Sequence, residues 1–255
     1  MTKIISSMNM KGGVGKTTLI KYLSILSVQH GKKTLVIDLC QNSDVSTQFQ
    51  YNREDFVYTV KNWMTNECTF EQVVQHDEET GVDFIPSNRY VDKIEEYVRE
   101  EYFDTKLALR DKIDSIPVDY DYIFIDTHPS ETNLMIVLPL GTSDLVLIPS
   151  KLNYSSVVGM ERTIQMVERA RKSGLDIKYG VIPMAIDTFK MGPELDEFKT
   201  FLNEQGVTPF PIVKYTVMFD KLSFRGEELS SHKNRYSQQV METFENVYDR
   251  MEEML

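Results

Sequence analysis

Lysine and a threonine hydroxyl beside closely spaced glycines are the groups a chain uses to hold a polyphosphate. Lys11-Gly12-Gly13-Val14-Gly15-Lys16-Thr17-Thr18 supplies them in one run. The run matches the end of the phosphate-loop pattern Gly-x-x-x-x-Gly-Lys-Ser/Thr. Glycines let the backbone wrap closely round phosphate. Free N–H groups at the start of the following helix point at the anion, and the helix dipole favours it. In this chemistry Lys16 holds the β- and γ-phosphates of ATP and the Thr17 hydroxyl holds Mg2+. The strict pattern puts its first glycine where Met10 stands, so Lys11 and Gly12-Gly13 replace the ordinary opening.

Such a loop works only between a strand and a helix, and the flanking sequence provides both. Ile4-Ile5-Ser6-Ser7-Met8 is short and half apolar, as a buried strand is, while Leu19, Tyr22, Leu23 and Leu26 recur at helical spacing. A second carboxylate belongs to the same chemistry. Phe124-Ile125-Asp126 closes another apolar run, and the carboxyl end of such a strand faces the ligand crevice of an open α/β sheet. Asp126 there would bind a water on Mg2+.

The wider pattern alternates strands with helices. Strands are predicted near 3–9, 34–39, 82–86, 121–126, 144–149, 178–184 and 208–213, and helices near 16–30, 56–75, 104–115, 131–140, 154–173, 192–204 and 235–255. The runs at 34–38, 122–126 and 145–149 are continuously apolar up to their last residue, which suits strands buried on both faces of a parallel sheet. The reading is α/β: one P-loop domain over 1–255, with a mostly parallel twisted sheet of about seven or eight strands and helices on both faces. No linker, repeat or low-complexity tract interrupts it. The acid-rich stretch 67–104 reads as a solvated outer helical face.

Composition narrows the class. A chain of 255 residues can bury a substantial core without staples. Its formal net charge of −11 argues against a general nucleic-acid coat, though a local basic patch can still meet phosphate. Two cysteines, Cys40 and Cys68, make no disulfide framework, so the chain reads as cytosolic. No apolar run approaches the roughly 18 residues of a membrane span, and Met1-Thr2-Lys3 leads straight into the first strand without a visible signal peptide.

Taken together, Lys11 to Thr18, Val36-Ile37-Asp38-Leu39, Asp126-Thr127-His128-Pro129-Ser130, Asp144 to Pro149 and Gly159 resemble the ParA/MinD family of deviant Walker A ATPases. Within it the chain is most similar to short ParA-type plasmid and chromosome partition ATPases that lack an N-terminal helix-turn-helix domain. The resemblance implies a homodimer that sandwiches two ATP molecules, with Lys11 reaching the partner's phosphates as an arginine finger would. It also implies a ParB-like centromere-binding partner, nonspecific DNA binding, a cytoplasmic, nucleoid-associated location, and adenine contacts near Pro183, Met184 and the loop after Val213. Candidate DNA contacts are Lys214, Lys221, Arg225, Lys233 and Arg235. Residues 211–235 hold these five basic groups against Asp220, Glu227 and Glu228. Arg162, Arg169, Arg171 and Lys172 form a second candidate patch beside Glu161 and Glu168.

The resemblance breaks at one chemically important position. The family reads Asp-x-Asp-Pro-Gln after its second strand, where this chain reads Asp38-Leu39-Cys40-Gln41-Asn42. The second Asp orients the attacking water, and a neutral thiol cannot do so. Either hydrolysis is slow and the ATP-bound dimer long-lived, or Asp44, Gln41 or Asp38 takes over; a Gln orients water in some GTPases. No second metal ligand is spaced with Cys40. His128 is a further departure, read as a polar filler beside the γ-phosphate.

Three other readings follow from the same residues. A MinD-like membrane anchor needs a basic amphipathic helix. The last helix instead carries Glu242, Glu245, Asp249, Glu252 and Glu253 against Arg250, so it is expected to pack on the sheet. An iron–sulfur electron carrier would need interface cysteines near Asp126, and there are none. An ATP-dependent regulatory switch acting on a protein partner remains the alternative to DNA cargo movement.

Overall fold

The computed structural model describes residues 1–129, 134–216 and 235–255. Its centre is a seven-stranded sheet in the order β3-β4-β2-β5-β1-β6-β7. The strands are β1 (Lys3–Ser7), β2 (Thr34–Leu39), β3 (Gln75–Asp77), β4 (Val82–Ile85), β5 (Tyr122–Thr127), β6 (Leu145–Ser150) and β7 (Lys178–Pro183). All pairs are parallel except β3 with β4.

Side chains alternate across this sheet and so define its two faces. Ile5, Phe124, Leu145 and Leu147 join a cluster with α1 (Lys16–Gln29) and α10 (Arg235–Met254), the last described helix. Ile4, Ile123 and Ile125 point the other way, toward α3 (Val60–Met64), α5 (Lys93–Glu101), α6 (Ala108–Asp114) and α7 (Leu134–Thr142). Val146 and Ile148 share that second face with α8 (Tyr154–Lys172) and α9 (Gly192–Glu204). Two short helices, α2 (Asp44–Gln48) and α4 (Phe70–Val73), complete the described set. Register then places the chemistry: Ser7 and Asp38 both stand beside Asp126. Three strands therefore end at one level, and the loops that follow them open onto a common crevice.

Several expectations are corrected. The helix predicted over 56–75 is two short helices. Thr59 and Thr69 each start one with a capping box, and Asn66, in the left-handed region at φ 61°, turns the chain between them. The predicted strand at 208–213 is not a strand. Pro209 and Pro211 remove alternate donors, so the segment follows β7 through Phe210 N–H to the Val181 carbonyl and Val213 N–H to the Pro183 carbonyl, both at 2.8 Å. The acidic stretch holds the unpredicted β3 and α5 besides β4, and is not one helical face. The helix predicted at 104–115 opens with a 3-10 turn at Thr105–Leu107. The last helix packs chiefly on α1 rather than on the sheet itself: Tyr22 and Phe244 rings lie 4.7 Å apart, and His30 stacks on Tyr248 at 4.8 Å.

Candidate nucleotide site

Gly15 caps α1 with φ 102°, a conformation that favours glycine. A Cβ there would also stand 2.8 Å from Met184 Cε, so the loop and the end of β7 touch because position 15 has no side chain. Lys16 follows as a buried cation. Burial lowers its pKa, while Asp126, Cys40 and Asp44 pull it back up. Thr17 Oγ1 donates to Asp126 Oδ2 at 2.6 Å. Asp126 is fully buried and its Oδ1 has no hydrogen-bond partner among the described residues.

Lys11 is exposed at the mouth of this loop. Its backbone is held by a residue the sequence reading missed: Asn9 Oδ1 accepts Lys11 N–H at 2.8 Å, and Asn9 Nδ2 donates to the Pro149 carbonyl at 2.8 Å. Met10 N–H reaches Thr163 Oγ1 at 3.2 Å. Gly159 on α8 makes this approach feasible, since a Cβ there would lie 2.5 Å from Asn9 Oδ1 and 2.9 Å from Lys11 Cβ.

The loop after β2 forms the next wall. Asp38 is fully buried, its Oδ1 accepting Cys40 N–H at 2.8 Å and its Oδ2 accepting Val45 N–H at 3.1 Å. Burial and the neighbouring Asp126 raise its pKa while those two bonds oppose the rise. It shapes the turn and does not line the cavity. Gln41 turns away to Asp92. Cys40 lines the cavity at 2% exposure, and burial, then Asp126, push its thiol up, so it is neutral at pH 7. Asp44 also lines the cavity, half-buried; burial raises its pKa and the nearby Lys16 opposes the rise.

The cavity measures about 550 Å³. Gly12 through Thr18, Thr127, His128, Pro129 and Lys151 line one part, and Met184, Ala185, Val213, Tyr215 and Thr216 the other. Pro183 is not in that lining. The second group sets the apolar Met184, Ala185 and Val213 beside the hydroxyls of Tyr215 and Thr216. Met184 and the loop after Val213, which carries Tyr215 and Thr216, were expected from the family resemblance; Ala185, which carries no motif, was not. Of the predicted DNA contacts, Lys214 is half-buried and Arg235 exposed, whereas Lys221, Arg225 and Lys233 lie outside the described residues. In the second patch Arg171 pairs with Glu168 at 2.9 Å.

These residues fit ATP and Mg2+: the glycine loop leaves room for phosphate, the buried Lys16 ammonium makes no salt-bridge contact among the described residues, and Asp126 keeps an unused oxygen beside the Thr17 hydroxyl. Fold and site together define a P-loop nucleotide-binding protein with its crevice at the carboxyl ends of a parallel sheet. The AAA_31 family model, an AAA domain, matches residues 2–178. The chain belongs to this ParA/Soj-like family of P-loop ATPases. It is 25% identical over 210 residues to the sporulation initiation inhibitor protein Soj of Bacillus subtilis, covering 80% of this chain and 82% of Soj. Among solved structures, a plasmid partition protein from Borrelia burgdorferi superposes with a TM-score of 0.73 at 20% identity, covering 100% of this chain and 99% of that one. A Cyanothece McdA variant in complex with ATP gives a TM-score of 0.84 at 20% identity, covering 98% and 96%. Among the described residues no helix is long and apolar enough to cross a membrane.

Proposed function

We propose that this chain is a partition-type ATPase that forms a face-to-face homodimer on Mg-ATP, binds DNA nonspecifically in that state, and answers to a ParB-like centromere-binding protein. One observation supports the dimer: Lys11, the residue before the cavity-lining Gly12, is exposed while its backbone is fixed by Asn9. A cation held outward in this way is available to a second subunit's phosphates. Within its own subunit Lys16 would grip the β- and γ-phosphates, Thr17 and Asp126 would hold the cation and its water, and Met184 with the Val213–Thr216 segment would flank adenine. Magnesium would neutralise phosphate charge; the chain's own groups bind, orient and exclude water.

Turnover is proposed to be slow. Cys40 stands where the family's water-orienting carboxylate belongs, and its neutral thiol cannot replace one. Of the three substitutes, Asp38 shapes the turn and does not line the cavity, and Gln41 is engaged by Asp92, which among the described residues leaves Asp44 as the carboxylate in the cavity wall. The chain is thus built to hold ATP better than to cleave it. That balance also favours a second reading, a long-lived dimeric switch acting on a protein partner.

Light scattering without nucleotide, with ADP and with ATP tests the proposal. The expected result is twice the chain's mass with Mg-ATP alone, lost in Lys11→Ala. A monomer under all three conditions sinks the sandwich mechanism. Salt-dependent retention of the ATP form on random-sequence DNA supports partition, and its absence from a proven dimer favours the protein-directed switch.

A further inference from the structure

Beyond magnesium, the crevice holds a donor set that the hydrolytic reading leaves unexplained. One ligand atom each from Asp38, Cys40 and Asp126 lies within 4.8 Å of the other two, and all three residues are buried. Cys40 Sγ stands 3.5 Å from Asp126 Oδ2. The unpartnered Oδ1 of Asp126, the oxygen also open to magnesium, points the same way, because a fully buried carboxylate oxygen ordinarily finds a donor or a cation.

We propose that Asp38, Cys40 and Asp126 form a site for a borderline-soft divalent cation of the zinc class, reached through the nucleotide cavity and sharing Asp126 with the magnesium position. The donor chemistry selects the ion. Magnesium takes hard oxygen ligands, whereas thiolate sulfur selects zinc and its softer neighbours. The spacing agrees. With Zn–S at about 2.3 Å and Zn–O at about 2.0 Å in a tetrahedron, sulfur and oxygen fall about 3.5 Å apart, a spacing that the Cys40 S–H hydrogen bond to Asp126 Oδ2 already sets. Asp38 is steadied by the N–H groups of Cys40 and Val45, an outer shell that fixes its carboxylate while leaving lone pairs free. On binding, the cation displaces the thiol proton to solvent, the Cys40 S–H bond breaks and a sulfur–metal bond forms; no electron changes hands. Water completes the coordination. Since Asp126 serves both ions, a zinc-class cation would hold the site against Mg-nucleotide, which makes Cys40 a point of control.

Cobalt(II) is the probe, because its bond to thiolate gives a charge-transfer band in the near ultraviolet. Metal-free protein without nucleotide is titrated, so a protein that failed to bind ATP would overturn the proposed function and leave this result standing. Expected is a band saturating at one equivalent in wild type, retained in Cys68→Ser and abolished in Cys40→Ser, with Zn2+ displacing it. A wild type without the band, or a band kept in Cys40→Ser, or one lost in Cys68→Ser, overturns the proposal. Circular dichroism of Cys40→Ser, with Cys40→Ala as a second variant, distinguishes lost ligation from lost fold. Mg-ATP affinity is then measured with and without Zn2+. At least a tenfold weakening by one equivalent of Zn2+ in wild type, absent in Cys40→Ser, supports the shared Asp126; equal Mg-ATP affinity with and without Zn2+ overturns it.

Discussion

Gly159→Ala is a substitution for which two effects of opposite sign compete. Position 159 lies inside α8, where alanine gains about 1 kcal/mol over glycine from backbone entropy alone. Against that, the new Cβ would stand 2.5 Å from Asn9 Oδ1, 2.9 Å from Lys11 Cβ and 3.0 Å from Lys11 N. None of these atoms is the free end of a flexible chain. Asn9 is buried and tied at both ends, to Lys11 N–H and to the Pro149 carbonyl. Overpacking of this kind costs about 1–3 kcal/mol, and forcing Asn9 off its donor costs about 1–3 kcal/mol more. The clash therefore outweighs the helix gain, by about 3 kcal/mol at mid-range. For a chain of this size about 2–4 °C accompanies each kcal/mol, so the melting temperature should fall by about 6–12 °C. The same movement displaces Lys11, so the ATP-dependent dimer should weaken even under conditions where the variant is folded. Differential scanning calorimetry without nucleotide reads the first effect and light scattering with Mg-ATP the second. A melting temperature that rises, as helix propensity alone demands, would refute the bracing role given to Asn9 and Gly159.

Two further outcomes follow from the site and the sheet edge. Cys40→Asp should raise basal ATP turnover severalfold or more, and Asp44→Ala should lower whatever turnover the wild type has; phosphate-release assays in which neither variant differs from wild type refute the account of slow hydrolysis. His76 Nδ1 lies 2.6 Å from Asp83 Oδ1, and that hydrogen bond raises the imidazole pKa above its ordinary value. A raised folded-state pKa contributes stability that is complete below the unfolded value of about 6.5 and is lost as pH rises through the folded value. His76→Gln should therefore lower the melting temperature at about pH 5.5 and do little at about pH 9, by under about 1 kcal/mol because the pair is half exposed; an equal loss at both pH values refutes the ion pair.

The phosphate loop was legible because its residues are contiguous and each type has a reason to be there. The strands β2, β5 and β6 were legible because both their faces are covered, which leaves a nearly continuous apolar run, and β1 as a short half-apolar run directly before the loop. β3 was not, since Gln75-His76-Asp77 is short, polar and paired antiparallel at an edge. α5 was hidden because only Ile94 and Val98 of its nine residues are buried. The site's remaining walls escaped for a different reason. Asn9 looks like any loop asparagine until α8 brings Gly159 against it, and Ala185 reaches the cavity only through the path the chain takes beyond β7. The metal-ligating neighbourhood of Cys40 was invisible to spacing along the chain, because Asp126 is brought beside Asp38 by strand register.

The strand order has a consequence for how the molecule comes into being. β1 is made before the other six strands of this sheet, yet it lies in the sheet's interior between β5 and β6. Lys3 pairs with Tyr122 and Ile5 with Leu145, so the strand that launches the phosphate loop has no neighbour until more than a hundred further residues have been made. α1 waits longer still for α10, whose Phe244 and Tyr248 lie against it. Nascent chains must therefore carry Ile4, Ile5 and the apolar side of α1 uncovered through most of synthesis, and parallel pairing over such separations is slow. A chain stalled short of α10 has every residue of the phosphate loop and lacks one wall of the core beneath it. The phosphate loop thus stands on its full core only once α10 is in place.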